Sequence, residues 1–384
     1  MIKLFVIADD FTGALDTGVH FASDGASTCV TAYTDLERAG CQEGLEILVV
    51  NAETRHLTPQ NAYDRVRSLV LWAVKRNVEY IYKKTDSALR GHVGAELTAA
   101  LDASGRNSIH FTPAFPEMRR TTVHGVQYID GIPVAESVLG QDPFNPVRQS
   151  DISGILREET DVPITLVPIG GVVESKNGII VYDAETVSDL NNLCELLIQD
   201  PDARLLAGCA GFASALSKRL FIQGMAKREK PDCKQLIVAC GSINSVSLSQ
   251  CAGAERLGVP RFYTNLMNTE KEDELFRVCG EEPVTILDTS LDNGSDNPAQ
   301  LLGEIVRSLL DRRIENTLFV VGGDSMWAVL RQLEVTMLTP LWEVLPGVVI
   351  SRYEYKGKKR YLLSKSGAFG GNQLFFDVYN RLTV

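Results

Sequence analysis

Short apolar runs alternate with stretches of helical period along most of the chain. Ile2–Ile7, Ile47–Val50, Tyr80–Tyr82 and Ile109–Thr112 have the length and residue types of buried strands. Gln60–Lys75 and Ala95–Leu101 carry the spacing of helices packed between them. This repetition predicts parallel sheet with helices on both faces. The rhythm resumes over Ile164–Phe221. A fresh set begins at Leu236–Cys240 and continues through Phe262–Thr264, Val284–Leu287, Leu318–Val321, Val348–Ser351 and Tyr361–Leu363, with helices between. The pattern breaks in two places. From Thr112 to Val147 prolines and turn residues dominate, and Asp130-Gly131 between short apolar runs predicts a hairpin. That segment reads as a long loop or flap over a first site. Gly224–Asp232 is charged, contains Pro231, and reads as a linker. The expected fold is therefore α/β with two domains, 1–228 and 229–384. Each is a largely parallel sheet flanked by helices, with a ligand cleft between them.

Composition narrows the partners. Of 384 residues, 45% are hydrophobic and 23% charged, which favours a packed core over disorder. A net charge of −11 without a basic stripe argues against nucleic acid, while a pocket can still gather a few cations around a small anion. No stretch approaches the roughly 20 apolar residues of a membrane span. The N-terminal apolar run passes straight into Asp9-Asp10, as a first strand does and a signal peptide does not, so a cytoplasmic protein is expected. Eight cysteines lie scattered without a C-x-x-C pair, so reduced and mostly buried thiols are expected rather than a metal or redox site. All five histidines lie at or before His124, which leaves the last two-thirds of the chain without one for acid–base work.

Candidate chemistry gathers where strands end. Asp9-Asp10-Phe11-Thr12-Gly13-Ala14 closes the first strand and opens a helix. Either Asp10 or Thr12 would serve as an N-cap, but one residue suffices for that, and a second aspartate is left over. Arg55 follows the Ile47–Val50 strand; a lone arginine more often makes a surface ion pair, yet its fork also suits a carboxylate. Lys84, Thr85, Asp86, Ser87 and Arg90 follow the next strand, a mixture suited to a small, anionic, hydroxyl-rich molecule. His56 and His92 read as structural. Beyond the linker there is neither a P-loop nor a G-x-G-x-x-G fingerprint. Instead three strand ends carry glycine: Gly241-Ser242, Gly322-Gly323-Asp324-Ser325, and Lys365-Ser366-Gly367-Ala368-Phe369-Gly370. A single Gly-Gly usually just turns the chain. Three such turns in one domain suit a phosphate, held by bare N–H groups, a helix N-terminus and the charge of Lys365.

These stretches, together with Pro113-Ala114-Phe115-Pro116 and Leu345-Pro346-Gly347, resemble the four-carbon acid sugar kinase family along nearly the whole chain. Its members include D-threonate, D-erythronate and 3-oxo-tetronate kinases. The resemblance implies an N-terminal domain holding the sugar acid, a C-terminal domain holding ATP, and transfer of the γ-phosphoryl group to the terminal hydroxyl with Mg²⁺. It implies that Asp10, Arg55, Lys84, Asp86, Ser87 and Arg90 face the acid, and that Ser242, Gly322, Gly323, Gly367 and Gly370 face the nucleotide. Two positions depart from the family pattern: Ser325 stands where threonine is frequent, and Ala368 where glycine is common. On this reading Arg55 and Arg90, helped by Lys84, clamp the carboxylate, and Asp10 or Asp86 accepts the hydroxyl proton. The Mg²⁺ ligands and the particular acid stay open, and a homo-oligomer is compatible with the sheet architecture. The rival readings are a dehydrogenase or aldolase-type enzyme of sugar acids, and a two-domain sugar-acid sensor.

Overall fold

In the computed structural model the chain forms two compact units, Met1–Met225 and Ala226–Val384. The structure describes residues 2–142, 145–173, 176–220, 229, 231, 233–291, 297–312 and 317–383. Most of the expected linker, 224–232, lies outside the described residues.

The first unit contains β1 (Leu4–Ala8), α1 (Phe11–Ser23), β2 (Thr28–Ala32), α2 (Leu36–Gly40), β3 (Ile47–Asn51), α3 (Pro59–Lys75), β4 (Tyr80–Lys84), α4 (Val93–Ser104) and β5 (Ser108–Thr112). There follow β6 (Arg120–Val123), β7 (Val126–Ile129), β8 (Ile132–Pro133), α5 (Ile152–Arg157), β9 (Ile164–Val167), β10 (Gly178–Tyr182), α6 (Val187–Gln199), β11 (Leu205–Gly208) and α7 (Ala210–Leu220). Its parallel strands run in the order β2-β3-β1-β4-β11-β5-β10-β9. β1, β3 and β4 are buried along their whole length, as strands covered by helices on both faces must be. α3 begins with Thr58 accepting from the Asn61 N–H and Pro59 in its first turn, and it turns Val66, Leu69, Val70 and Trp72 inward.

The segment after Thr112, expected as a loop or flap with a hairpin at Asp130-Gly131, carries an antiparallel meander, β6-β7-β8, over 120–133, and the hairpin is its second turn. Its turns are His124-Gly125 and Asp130-Gly131, all four residues at positive φ, the backbone that lets a two-residue turn match strand twist. Gln127 fastens it to the strand ends, accepting from Thr122 and donating to the carbonyls of Ser87 and Pro113. The sequence pattern does not mark β2, whose Thr28 and Thr31 interrupt the apolar run.

The second unit contains β12 (Leu236–Cys240), α8 (Ser245–Arg256), β13 (Arg261–Tyr263), α9 (Thr269–Glu281), β14 (Val284–Asp288), α10 (Pro298–Asp311), β15 (Thr317–Val321), α11 (Gly323–Gln332), β16 (Met337–Leu345), β17 (Val348–Tyr355), β18 (Lys358–Lys365) and α12 (Leu374–Thr383). The order β13-β14-β12-β15-β18 is parallel, and β18-β17-β16 continues antiparallel. β16 also escapes the sequence pattern: Pro340 cannot donate to a ladder, and the register shifts between it and Trp342.

Each unit has a reversal of direction beside its first strand. After β1 the chain builds β2 and β3 on one side and β4 on the other; after β12 it builds β13 and β14 on one side and β15 on the other. Such a reversal parts the loops at the strands' carboxyl ends and leaves room there for a ligand. The carboxyl ends at these two points carry Asp9 and Thr85 in one unit, and Gly241 and Gly322 in the other.

Candidate functional site

In the first unit the residues following β1, β3 and β4 meet. Asp10 does cap α1, its Oδ1 accepting from the Gly13 N–H at 2.7 Å. Its other oxygen accepts from Arg55 Nη1 at 2.7 Å. Arg55 also donates Nε and Nη2 to Asp9 Oδ2, at 2.9 and 2.6 Å. The turn that presents Arg55 places Glu53 at φ 50, a backbone that non-glycine residues seldom adopt. It is held by the Thr54 N–H on the Asp9 carbonyl and the Glu53 N–H on Asn51 Oδ1. Asp86 receives Arg90 Nε at 2.8 Å and Nη2 at 3.0 Å, as well as the Ala88 N–H, and Arg55 Nη2 lies 3.7 Å from it. Arg90 donates Nη1 to Asp142 on the segment that follows the meander. Arg55 and Arg90 thus converge on one carboxylate.

Electrostatics follow from this packing. Burial opposes ionisation of Asp86, but Arg90 and Arg55 overcome it and hold the carboxyl far below the ordinary range. Asp9 is also held low, burial being outweighed by Arg55, Lys84 and Lys83. The arginines expected to be open to a ligand are largely engaged by the chain's own carboxylates. Lys84 is different. It is 4% exposed, and its ammonium makes no hydrogen bond and no ion pair with any described residue. Burial works against its charge, but Asp9, Asp10, Asp16 and Asp86 together keep it firmly protonated. Buried oxygens without partners among the described residues lie on the same strand ends and helix start: Asp9 Oδ1, Thr12 Oγ1 and Thr85 Oγ1. A buried charge and buried oxygens without partners are costly, and a ligand, a water or an ion placed there would offset that cost.

Beneath this site lies a layer absent from the sequence expectations. Lys83, fully buried, donates to Glu96 Oε2 at 3.0 Å and to the Lys84 carbonyl at 2.6 Å. Glu96 also accepts from the Thr54 hydroxyl. The end of β4, the turn that carries Arg55 and α4 are tied together by one buried ion pair. Nothing in the sequence tells Lys83 from Lys84; strand alternation sends neighbours to opposite faces, and only the tertiary structure says which face holds the site.

In the second unit the three glycine turns meet around Ser242. A Cβ on Gly241 would lie 1.9 Å from Ser325 Oγ, and one on Gly367 would lie 2.2 Å from Ser242 Oγ. Gly322 caps α11 at φ 108, a conformation that needs glycine, and supplies no side chain to the helix's first N–H groups. The loop 366–371 is turned inside out. Its carbonyls at Gly367, Phe369, Gly370 and Gly371 accept from Ser247, Gln250 and Lys365. The N–H groups of Gly367, Ala368 and Gly370 donate to no acceptor among the described residues. This forms an amide cradle for an anion beside an uncapped helix N-terminus.

Lys365 is wrapped by the loop that follows it. Its ammonium, 1% exposed, reaches Ser247 Oγ and the carbonyls of Ser366, Gly367 and Phe369, each at 3.2 Å. Burial lowers its pKa to about 8. It shapes the cradle from behind. Ser247 and Gln250, three apart on one face of α8, were not anticipated. Their signal in the sequence is a pair of polar residues at helical spacing on a buried face.

The described residues include no group of three or more His, Cys, Asp or Glu side chains placed to hold a metal ion, and no helix long and apolar enough to cross a membrane. Seven of the eight cysteines are buried and all are free.

A family model described as a sugar-binding N-terminal domain matches residues 4–216, and one described as a nucleotide-binding C-terminal domain matches residues 263–375. The D-threonate kinase of Salmonella typhimurium is 28% identical, with 98% of this chain and 97% of that protein covered. The D-erythronate kinase of Heliobacterium modesticaldum is 25% identical over 73% of this chain and 68% of its own length. The 3-oxo-tetronate kinase of Methylobacterium radiotolerans is 24% identical over 97% and 98%. Among solved structures, a Haemophilus influenzae protein of the DUF1537 family superposes with a TM-score of 0.75 at 20% identity, covering 99% of this chain and all of that one, a likeness of fold.

Proposed function

Since the chain belongs to the four-carbon acid sugar kinase family and is a phosphotransferase acting on a hydroxyl group, we propose that it moves the γ-phosphoryl group of ATP to the terminal hydroxyl of a four-carbon sugar acid, with D-threonate, D-erythronate and 3-oxo-tetronate as the candidates. Lys84 is the first unit's ligand for the acid's carboxylate, because its charge is buried and has no hydrogen-bond or ion-pair partner among the described residues. Arg55 and Arg90 brace Asp9, Asp10 and Asp86 as a wall of acceptors for the acid's hydroxyls. Thr85 and Ser87 stand on the same loop. In the second unit, Ser242, the N–H groups around Gly322, Gly323, Asp324 and Ser325, and the loop from Ser366 to Gly370 take the phosphates.

Asp324 lies in the first turn of α11, where its charge would repel a phosphate unless a cation intervened. It is therefore this chain's candidate to hold Mg²⁺, an ion that takes most of its other ligands from phosphate and water and spreads the charge of the transferring group. A cytoplasmic location belongs to this reading.

The observation that carries the proposal is the contrast between the two reversal points. Among the described residues, one bears a cation without a hydrogen-bond or ion-pair partner amid carboxylates and hydroxyls, and the other bears bare amides around glycine. The test is ADP release from ATP by the full-length protein with each of the three acids, followed by ³¹P NMR of the product. The expected signal is a phosphate coupled to two protons on one carbon. ATP turnover unchanged by every four-carbon acid would overturn the reading.

A further inference from the structure

The carboxylates near Lys84 differ in whether they have an oxygen free to receive a proton. Asp86 is bridged by Arg90, and Asp10 is held by the Gly13 N–H on one oxygen and Arg55 on the other. Asp9 keeps Oδ1 without a partner among the described residues, but Arg55, Lys84 and Lys83 outweigh burial and hold its carboxyl low. Asp16, in the second turn of α1, is half-buried and makes no hydrogen bond with any described residue. It stands one helical turn beyond Gly13. Lys84 lies against that glycine: a Cβ there would sit 2.8 Å from Lys84 Nζ and 2.5 Å from Asp10 Oδ1. Thr12, whose hydroxyl has no partner among the described residues, precedes Asp16 by four residues and so shares its side of the helix. The charged groups acting on Asp16 are Lys84 at the end of β4, Asp10 at the start of α1 and Arg120 on β6.

We propose that Asp16 takes the proton from the acid's attacked hydroxyl, a role that rests on the kinase reading above. In this step the hydroxyl oxygen bonds to the γ-phosphorus. The bond from that phosphorus to the β,γ-bridging oxygen breaks, and its electron pair leaves with ADP. The proton passes to the Asp16 carboxylate, which releases it to water. Burial pushes the Asp16 carboxyl up to about 6, with Lys84 and Arg120 opposing the rise and Asp10 adding to it. A base poised there is ionised at neutral pH yet accepts a proton far more readily than Asp86.

The experiment compares full-length wild type, Asp16→Asn, Asp16→Glu and Asp10→Asn with ATP and whichever acid supports turnover, across pH 5 to 8. Asp16→Asn is expected to lower kcat by about a hundredfold or more, leave KM for ATP within about threefold, and abolish the acidic limb of the kcat/KM profile near pH 6. Asp16→Glu should recover part of kcat and keep a limb. Melting temperatures guard against misfolding, and Asp16→Asn should melt no lower than wild type. An Asp16→Asn enzyme with kcat within about fivefold of wild type and the limb intact overturns the proposal, as does an Asp10→Asn enzyme that alone loses the limb. Wild type without acid-dependent ADP release is a separate outcome: it defeats the kinase reading, and this inference with it.

Discussion

At the residue scale, Lys84 and Asp16 stand out because their side chains make no hydrogen bond or ion pair among the described residues, whereas Arg55, Arg90 and Lys365 are engaged by neighbours. A charged hydrogen bond of about 1.5–3 kcal/mol corresponds to a change in affinity of roughly 10- to 150-fold. Lys84→Met should therefore raise KM for the acid by about that factor while KM for ATP stays put; an unaltered KM for the acid would remove Lys84 from the binding site. The stability of Asp16→Asn carries its own signature. The folded state holds the Asp16 proton up to about 6 while the unfolded chain releases it near 3.8, so ionising this group at neutral pH opposes folding. Removing the charge should add about 1–3 kcal/mol of stability at pH 7, discounted for partial exposure, as read by urea unfolding. A residue kept for structure would show the opposite sign.

At the element scale, the Lys83–Glu96 pair joins β4 to α4 and, through Thr54, to the turn after β3. Both ions are buried, so removing one leaves the other uncompensated. Lys83→Met alone or Glu96→Leu alone should cost about 3–5 kcal/mol, whereas the double variant should recover much of the loss. Strict additivity of the two losses would show that the pair does not act as a unit. The consecutive lysines of β4 were legible as a charged strand end, but their division of labour was not, since it depends on which face α4 covers. The glycine loop after β18 was legible in the same partial way. Its glycines announce a close backbone approach, while the side chains that invert its carbonyls, Ser247 and Gln250, come from a helix about 120 residues earlier.

At the scale of the whole molecule, stability should depend on pH in a definite direction. His110 is buried between Tyr182 and Ser108, and burial lowers its pKa to about 4. The unfolded chain takes up this proton near 6.5, so the stability His110 contributes is complete above that pH and is lost as pH falls towards 4. Asp16 acts the other way between about 6 and 3.8, because there the folded state binds the extra proton. The clean readout is thus a difference. Between pH 7 and pH 5 wild type should lose about 2 kcal/mol more than His110→Gln in urea unfolding. Equal losses in the two proteins would mean that His110 is not held neutral.

The sequence alone determined the α/β class, most of the buried strands and the glycine turns, because each is local: hydrophobic period, turn residues and motif spacing are written within a few positions of one another. The tertiary structure alone decided which charges remain open. Asp9 and Asp10 close on Arg55, the loop after β18 wraps Lys365, and Lys84 comes to rest beside Gly13, one helical turn from Asp16. Whether an ionic group serves the fold or a ligand depends on partners brought from distant parts of the chain, and no local pattern records them.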